Sequence, residues 1–152
     1  MAELLGTHSY QLDPKGRISL PARFRDVLSG GAVLTLGQDG CLFCFPRAEW
    51  ESRAAEVRDR PLSDAEARAY ARMFFGKAEP VELDSQGRLL VPQRLRTEVG
   101  IRKEAVVVGV FDRMEIWDRE THERYESGHG GAYQAGTLAP GRATDGDRGT
   151  GR

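Results

Sequence analysis

One stretch of this chain occurs twice. Leu12-Asp13-Pro14-Lys15-Gly16-Arg17-Ile18-Ser19-Leu20-Pro21-Ala22-Arg23-Phe24-Arg25 returns 71 residues later, without a gap, as Leu83-Asp84-Ser85-Gln86-Gly87-Arg88-Leu89-Leu90-Val91-Pro92-Gln93-Arg94-Leu95-Arg96. Leu, Asp, Gly, Arg, Pro, Arg and Arg recur in register, and Ile/Leu and Phe/Leu fill the matching apolar slots. Two copies are too few for a solenoid, which needs about three or more stacked units. They predict a domain of two similar halves around a pseudo-twofold axis, with the repeated turn presented twice.

Each copy reads as strand, turn, strand and short helix. Residues 9–12 and 17–20 flank Asp13-Pro14-Lys15-Gly16, which has Asp, Pro and Gly where a type I turn wants them. The segment is therefore expected to be a hairpin. Pro21 then opens a short helix over 22–28, stopped by Gly30-Gly31. Residues 32–36 and 41–45 predict a second hairpin, and Pro46 opens a helix to about Arg58. The second half repeats the plan: 78–83 and 88–91 around Asp84–Gly87, a helix over 93–99 closed by Gly100, a hairpin from 105–110 and 114–117, and a helix from Arg119 capped by Asp118. This later part aligns with an offset of 72 residues, Leu36-Gly37 on Val108-Gly109 and Phe45 on Trp117, so one residue is inserted between. Between the halves, Ser63 and Glu66 form a capping box for a helix over 65–75. Its stripe of Ala69, Tyr70, Met73 and Phe74 reads as core or interface. From about Ser127 the chain turns to Gly, Ala, Thr and Arg with few large apolar residues, the composition of a disordered tail.

The chain's 152 residues suit one domain. The longest apolar run, 105–111, is far shorter than the ~20 residues that span a bilayer. The acidic start lacks the form of a signal peptide, so a cytoplasmic address is expected. Net charge is -1, so any nucleic-acid contact must come from local clusters. Half one offers Lys15, Arg17, Arg23 and Arg25; half two offers Arg88, Arg94 and Arg96. Half one is the more basic.

Little else points to chemistry. Cys41 and Cys44 form a C-x-x-C, but their setting reads as a strand, where residues three apart face opposite ways. They are expected to be buried small hydrophobes. His8, His122 and His129 are scattered, no nucleophile elbow or phosphate loop occurs, and neither an enzyme nor a bound cofactor or metal is expected. For Asp13, Asp84, Gly16 and Gly87, turn chemistry accounts for their types. It does not account for arginine at the turn exit twice. A guanidinium there, held by a nearby carboxylate, suits a phosphate or a bidentate hold on guanine, with a purely local ion pair as the alternative. Arg23, Arg25, Arg94 and Arg96 stay open between contact residues and a solvated helix face.

The repeated L-D-x-x-G-R-x-x-x-P-x-R-x-R, with Ala105-Val106-Val107-Val108-Gly109 and Glu115-Ile116-Trp117-Asp118, resembles the MraZ family of bacterial transcriptional regulators from about Met1 to Tyr125. The resemblance implies an α+β fold, mainly a β barrel, of duplicated AbrB-like swapped-hairpin halves with short flanking helices. These divide as residues 1–62, a linking helix 63–76, a second half 77–126 and a disordered tail 127–152. It further implies a nucleoid-associated homo-oligomeric ring that binds G-rich direct repeats upstream of the division and cell-wall operon. The family's Asp-x-x-x-Arg signature falls on Asp13/Arg17 and Asp84/Arg88, with Gln86 where half one has Lys15. An oligomeric protein-interaction module, or an antitoxin of the AbrB/MazE kind, is the alternative; an antitoxin tail needs an apolar stripe, and 127–152 offers only Tyr133 and Leu138 as large apolar residues. No membrane or small-molecule partner is expected.

Overall fold

Strands as short as those beside the repeated turns cannot cover an apolar face alone, and the chain pairs its halves with each other. The computed structural model describes residues 3–136. In chain order these form β1 (Leu4–Gln11), β2 (Arg17–Ser19), α1 (Ala22–Val27), β3 (Ala32–Leu36), β4 (Leu42–Pro46), α2 (Arg47–Arg58), α3 (Ala65–Gly76), β5 (Glu79–Val81), β6 (Arg88–Leu90), α4 (Gln93–Val99), β7 (Glu104–Phe111), β8 (Met114–Asp118) and α5 (Arg119–Gln134). Six strands make one antiparallel sheet in the order β1-β7-β8-β4-β3-β5, and β2 and β6 make a separate two-stranded ladder.

That order is palindromic. β1 on β7 matches β5 on β3, and the pseudo-twofold passes between β4 and β8, where Phe43 faces Glu115. It also passes between β2 and β6, where Ile18 faces Leu89, its repeat equivalent. The fold is thus mixed α/β with a mainly antiparallel sheet. Among the described residues that sheet is open, with β1 and β5 at its edges, and no closed barrel is formed.

The helix positions and the second hairpin of each half, β3–β4 and β7–β8, follow the sequence expectation. The first hairpins do not. The Asp13 turn closes through Gly16 N–H to Asp13 O at 2.8 Å and Asp13 N–H to Arg17 O at 3.0 Å, but β1 and β2 then leave for different partners. Turn chemistry is local, whereas ladder pairing is decided by which strand buries the apolar face. The register also differs. Ala32 pairs with Val81 as Ala105 pairs with Tyr10, so β3 matches β7 with an offset of 73 residues, and Leu36 corresponds to Gly109 rather than Val108.

Two apolar layers flank the sheet. Ile18, Leu20, Phe24 and Leu28 and their equivalents Leu89, Val91, Leu95 and Val99 are all buried in one core with Leu4, Leu34, Leu42, Val107, Met114 and Ile116. On the other face Phe43, Phe45, Phe74, Val106 and Trp117 pack with Trp50 and Tyr125 of the longer helices. Cys44 lies in the first layer and Cys41 in the second, both free thiols, so the pair diverges as a strand requires. Burial raises both thiols, Cys44 to about 12, and thiols held protonated are inert.

Two helix ends depart from expectation. α3 is capped by Asp64, whose carboxylate accepts from Glu66 N–H at 3.1 Å, not by a Ser63–Glu66 box. Of its stripe only Phe74 is buried, while Tyr70 and Met73 stay exposed. α5 continues to Gln134, so residues 127–134, expected to be disordered, are helical. Asp118 nucleates this helix through Thr121 N–H at 3.1 Å, and Tyr125 stacks on His129 with ring centroids 3.9 Å apart. Extending a formed helix costs far less than starting one, which offsets the glycine penalty at Gly128, Gly130 and Gly131. The rest of the expected tail, 137–152, lies outside the described residues. No helix is long and apolar enough to cross a membrane among the described residues.

Candidate functional site

The two repeated turns meet at the pseudo-twofold. Because β2 runs antiparallel to β6 with Ser19 opposite Arg88 and Arg17 opposite Leu90, both turn exits are brought together. Within each turn the aspartate is fully used. Asp13 Oδ1 accepts from the backbone N–H of Lys15 and Arg17, both at 2.9 Å, and Oδ2 accepts from Arg17 Nε at 2.6 Å. Asp84 repeats this with Gln86 N–H at 2.9 Å, Arg88 N–H at 2.8 Å and Arg88 Nε at 2.8 Å. The backbone N–H of each following arginine is the chief cause that holds each carboxyl below its ordinary value.

The halves then exchange charge. Arg17 Nη1 lies 3.9 Å from Asp84 Oδ2, and Arg88 Nη1 lies 3.9 Å from Asp13 Oδ2. The result is a reciprocal four-charge cluster with the arginine side chains about one-quarter exposed, each 27%. Each guanidinium spends Nε on its own aspartate and turns Nη1 toward the opposite one at ion-pair distance, so that neither Nη group makes a hydrogen bond among the described residues. Two neutralised arginines, aimed by carboxylates and held side by side, suit recognition of a planar acceptor edge better than bulk attraction of charge.

The third arginine of each repeat has a different task. Arg25 Nη1 donates to Leu20 O at 2.7 Å and Arg96 Nε donates to the equivalent Val91 O at 2.8 Å. Each then crosses to the opposite half. A Cβ on Gly16 would sit 2.6 Å from Arg96 Cζ, and one on Gly87 would overlap Arg25 Cδ. With φ of 87° at Gly16 and 77° at Gly87, both turns need glycine for the backbone and for the arginine laid over it. The bare turn pattern explains only the first need.

The other sequence candidates sit apart from this cluster. Lys15 is exposed at its turn tip and uses only its backbone N–H there. Arg23 is exposed, and its side chain makes no hydrogen bond or ion pair among the described residues. Arg94 is drawn to Glu79 at 2.6 Å. Sequence reasoning missed three cations beside the Asp13 turn, namely Arg102, Lys103 and Arg124, which share a cleft with Leu12, Asp13 and Arg96. For Arg102 and Lys103 the signal was a lengthened loop, one inserted residue in the sequence alignment and two in the structural register; Arg124 lies on α5. No group of His, Cys, Asp or Glu that could hold a metal ion occurs among the described residues.

Comparison with known proteins meets this geometry in the same two units. A family model described as "MraZ protein, putative antitoxin-like" matches residues 4–73 and again 74–131. A protein of Pelotomaculum thermopropionicum named Transcriptional regulator MraZ is 43% identical over 130 residues, covering 86% of this chain and 90% of that one. Proteins of the same name from Saccharopolyspora erythraea and Kineococcus radiotolerans are 45% identical over 125 residues and 47% identical over 121, covering 82% and 80% of this chain and 87% and 85% of theirs. With both halves matched and the identity extending over most of its length, the chain belongs to the MraZ family.

Proposed function

We propose that this chain is a sequence-specific DNA-binding transcriptional regulator that reads G-rich direct repeats in the promoter of the division and cell-wall operon. The observation that carries the reading is the reciprocal cluster of Asp13, Arg17, Asp84 and Arg88. Two oriented guanidinium groups match the O6/N7 edge of guanine in the major groove, and their neutralisation by aspartate weakens purely electrostatic contact with any phosphate. Arg25 and Arg96 brace this head over Gly87 and Gly16, and Lys15, Arg23 and Arg94 are proposed as outer contacts to the duplex. The relatives' name as transcriptional regulators supports the same reading.

The β2–β6 ladder, in which each half lends a strand to the other, supports an AbrB-like swapped-hairpin relation between the halves. The protein works as a ring of identical chains in the cytoplasm at the nucleoid. A chain of net charge -1 with one neutral reading head binds weakly by itself. A ring converts each further head into an intramolecular contact and raises avidity, and neighbours related by rotation suit direct rather than inverted repeats. The description "antitoxin-like" keeps one rival in view, a toxin-binding tail, but 127–136 is exposed and holds Tyr133 as its single large apolar residue.

Gel-shift titration on the chain's own upstream region tests the proposal, with probes of one repeat, several repeats, and several repeats displaced by about half a helical turn. Affinity should rise steeply from one repeat to several and fall back in the displaced probe. Equal affinity for all three, or for a shuffled duplex, overturns the proposal.

A further inference from the structure

The pseudo-twofold does not extend to the clefts beside the sheet's two edge strands. One lies at the end of β1, beside the Asp13 turn, with a volume of about 1030 Å³. Beside β5 the other half holds a smaller cleft of about 380 Å³, bounded by Gly30, Gly31, Arg47 and Glu82, which does not reach Asp84 or Arg25, the equivalents of Asp13 and Arg96. The difference begins in the sequence. Between Leu28 and Ala32 stands Ser29-Gly30-Gly31, whereas between their equivalents Val99 and Ala105 stands the longer Gly100-Ile101-Arg102-Lys103-Glu104. Ile101 anchors the extra length in the core and leaves Arg102 and Lys103 exposed at the rim. α5 adds Arg124 where α2 has Ser52.

Charge in the larger cleft is unbalanced once internal partners are assigned. Of its carboxylates, Asp13 is held by Arg17 and Glu104 by Arg119 at 2.9 Å, while Asp118 Oδ2 caps α5. Glu120 alone is unengaged. Against it stand Arg96, Arg102, Lys103 and Arg124, none of which has a carboxylate partner among the described residues. The smaller cleft offers Arg47, which lies 3.8 Å from Glu51, and carries Glu82.

We propose that the cleft formed by Arg102, Lys103 and Arg124 is a phosphate-binding flank that grips the DNA backbone beside the bases addressed by Arg17. It rests on the DNA-reading proposal and adds a division of labour to it. Cations without orienting carboxylates supply affinity, and aspartate-held arginines supply sequence preference. DNA backbone, rather than an acidic protein segment, is favoured by continuity: Arg96 lines the cleft and lays its guanidinium over Gly16 of the reading turn. Because the other half lacks the flank, each chain has a polarity on the duplex that the pseudo-twofold would otherwise erase. A polar reader matches repeats that all point the same way.

The test compares wild type, an Arg102→Ala/Lys103→Ala variant, an Arg124→Ala variant and an Arg58→Ala/Arg60→Ala control across a salt series, on repeat and shuffled duplexes. The first double variant should weaken binding to both duplexes by about tenfold, keep their ratio, and reduce the salt slope by about 2; Arg124→Ala should reduce it by about 1. The control removes the same charge elsewhere and should leave the slope unchanged. An unaltered slope in the cleft variants, an equal loss in the control, or a changed ratio between duplexes overturns the flank. Wild type that binds no duplex overturns the parent reading and the flank with it. Wild type that binds through Arg17 while ignoring the cleft variants overturns the flank alone.

Discussion

Around the repeated turn the two halves are nearly superposable in chemistry: each aspartate takes two backbone N–H bonds and one arginine Nε, at 2.6–2.9 Å in half one and 2.8–2.9 Å in half two. Away from it they diverge. Edge strand β1 has eight residues and its equivalent β5 has three, Lys15 is replaced by Gln86, and the loop after α4 is longer and basic where the loop after α1 is glycine. Duplication therefore kept what must converge at the axis and released the flanks. A feature that meets its own copy is constrained by both, since a change in one turn is felt by the opposite arginine. A flank meets no copy and is free to specialise.

The largest effect should come from Arg17→Ala, which removes half of the head and lies beside the basic cleft. Preference for repeat over shuffled duplex should fall by about two orders of magnitude, the scale of one or two lost bidentate base contacts, with circular dichroism and sedimentation unchanged. Arg88→Ala should cost less, about tenfold, because its turn carries Gln86 and has no basic cleft on its side. If Arg88→Ala proves the more damaging, the functional ranking of the halves is reversed.

A smaller effect probes the turns' shared architecture. Gly87→Ala should destabilise the protein by about 1–2 kcal/mol, the cost of placing an L side chain in left-handed backbone, with added displacement of Arg25. Thermal unfolding of Gly87→Ala against Gly16→Ala measures whether the halves are equally strained. Gln86→Lys should sharpen the comparison further, tightening binding about threefold and steepening the salt slope by about 0.9 as the missing cation is restored. No gain would mean that Lys15 itself contributes nothing.

Acid should have the mildest consequence. Both turn carboxyls are depressed in the folded chain, so their stabilisation is complete above the unfolded carboxylate value of about 4 and is lost as pH falls through the lower folded value. Asp13→Asn/Asp84→Asn should flatten the acid limb of a stability profile between about pH 5 and 2. An unchanged limb would show that other carboxylates govern it.

Much of this was legible in the chain. The repeat, the Asp-x-x-x-Arg turns, the helices after Pro46 and Pro92, and the diverging cysteines all follow from local rules of backbone and periodicity. What stayed hidden was non-local. Nothing in residues 9–20 says that β2 will leave β1 for β6, because turn chemistry fixes the turn and not the partner of the strand that follows it. Arg25 and Arg96 stay open between contact residues and a solvated face in the sequence because the glycine each covers is in the other half. The flank of Arg102, Lys103 and Arg124 needed the β3–β7 register, which the sequence alignment at an offset of 72 misplaces by one residue. The helix through 127–134 was missed because composition weighs glycine but not the capped, aromatic turns before it.

A double-mutant cycle on Arg17 and Arg88 tests the central claim, that the two turns form one reading head. Arg17→Ala, Arg88→Ala and the double variant are titrated on a single-repeat duplex at fixed salt. Each guanidinium lies near both carboxylates, at 3.9 Å from the opposite one, so loss of one leaves the other beside an unbalanced negative charge. The double variant should bind no more weakly than Arg17→Ala alone, a coupling well above the ~0.5 kcal/mol within which independent sites add. Effects that sum within that margin would mean two separate contacts that merely share a sequence, and would contradict the composite head.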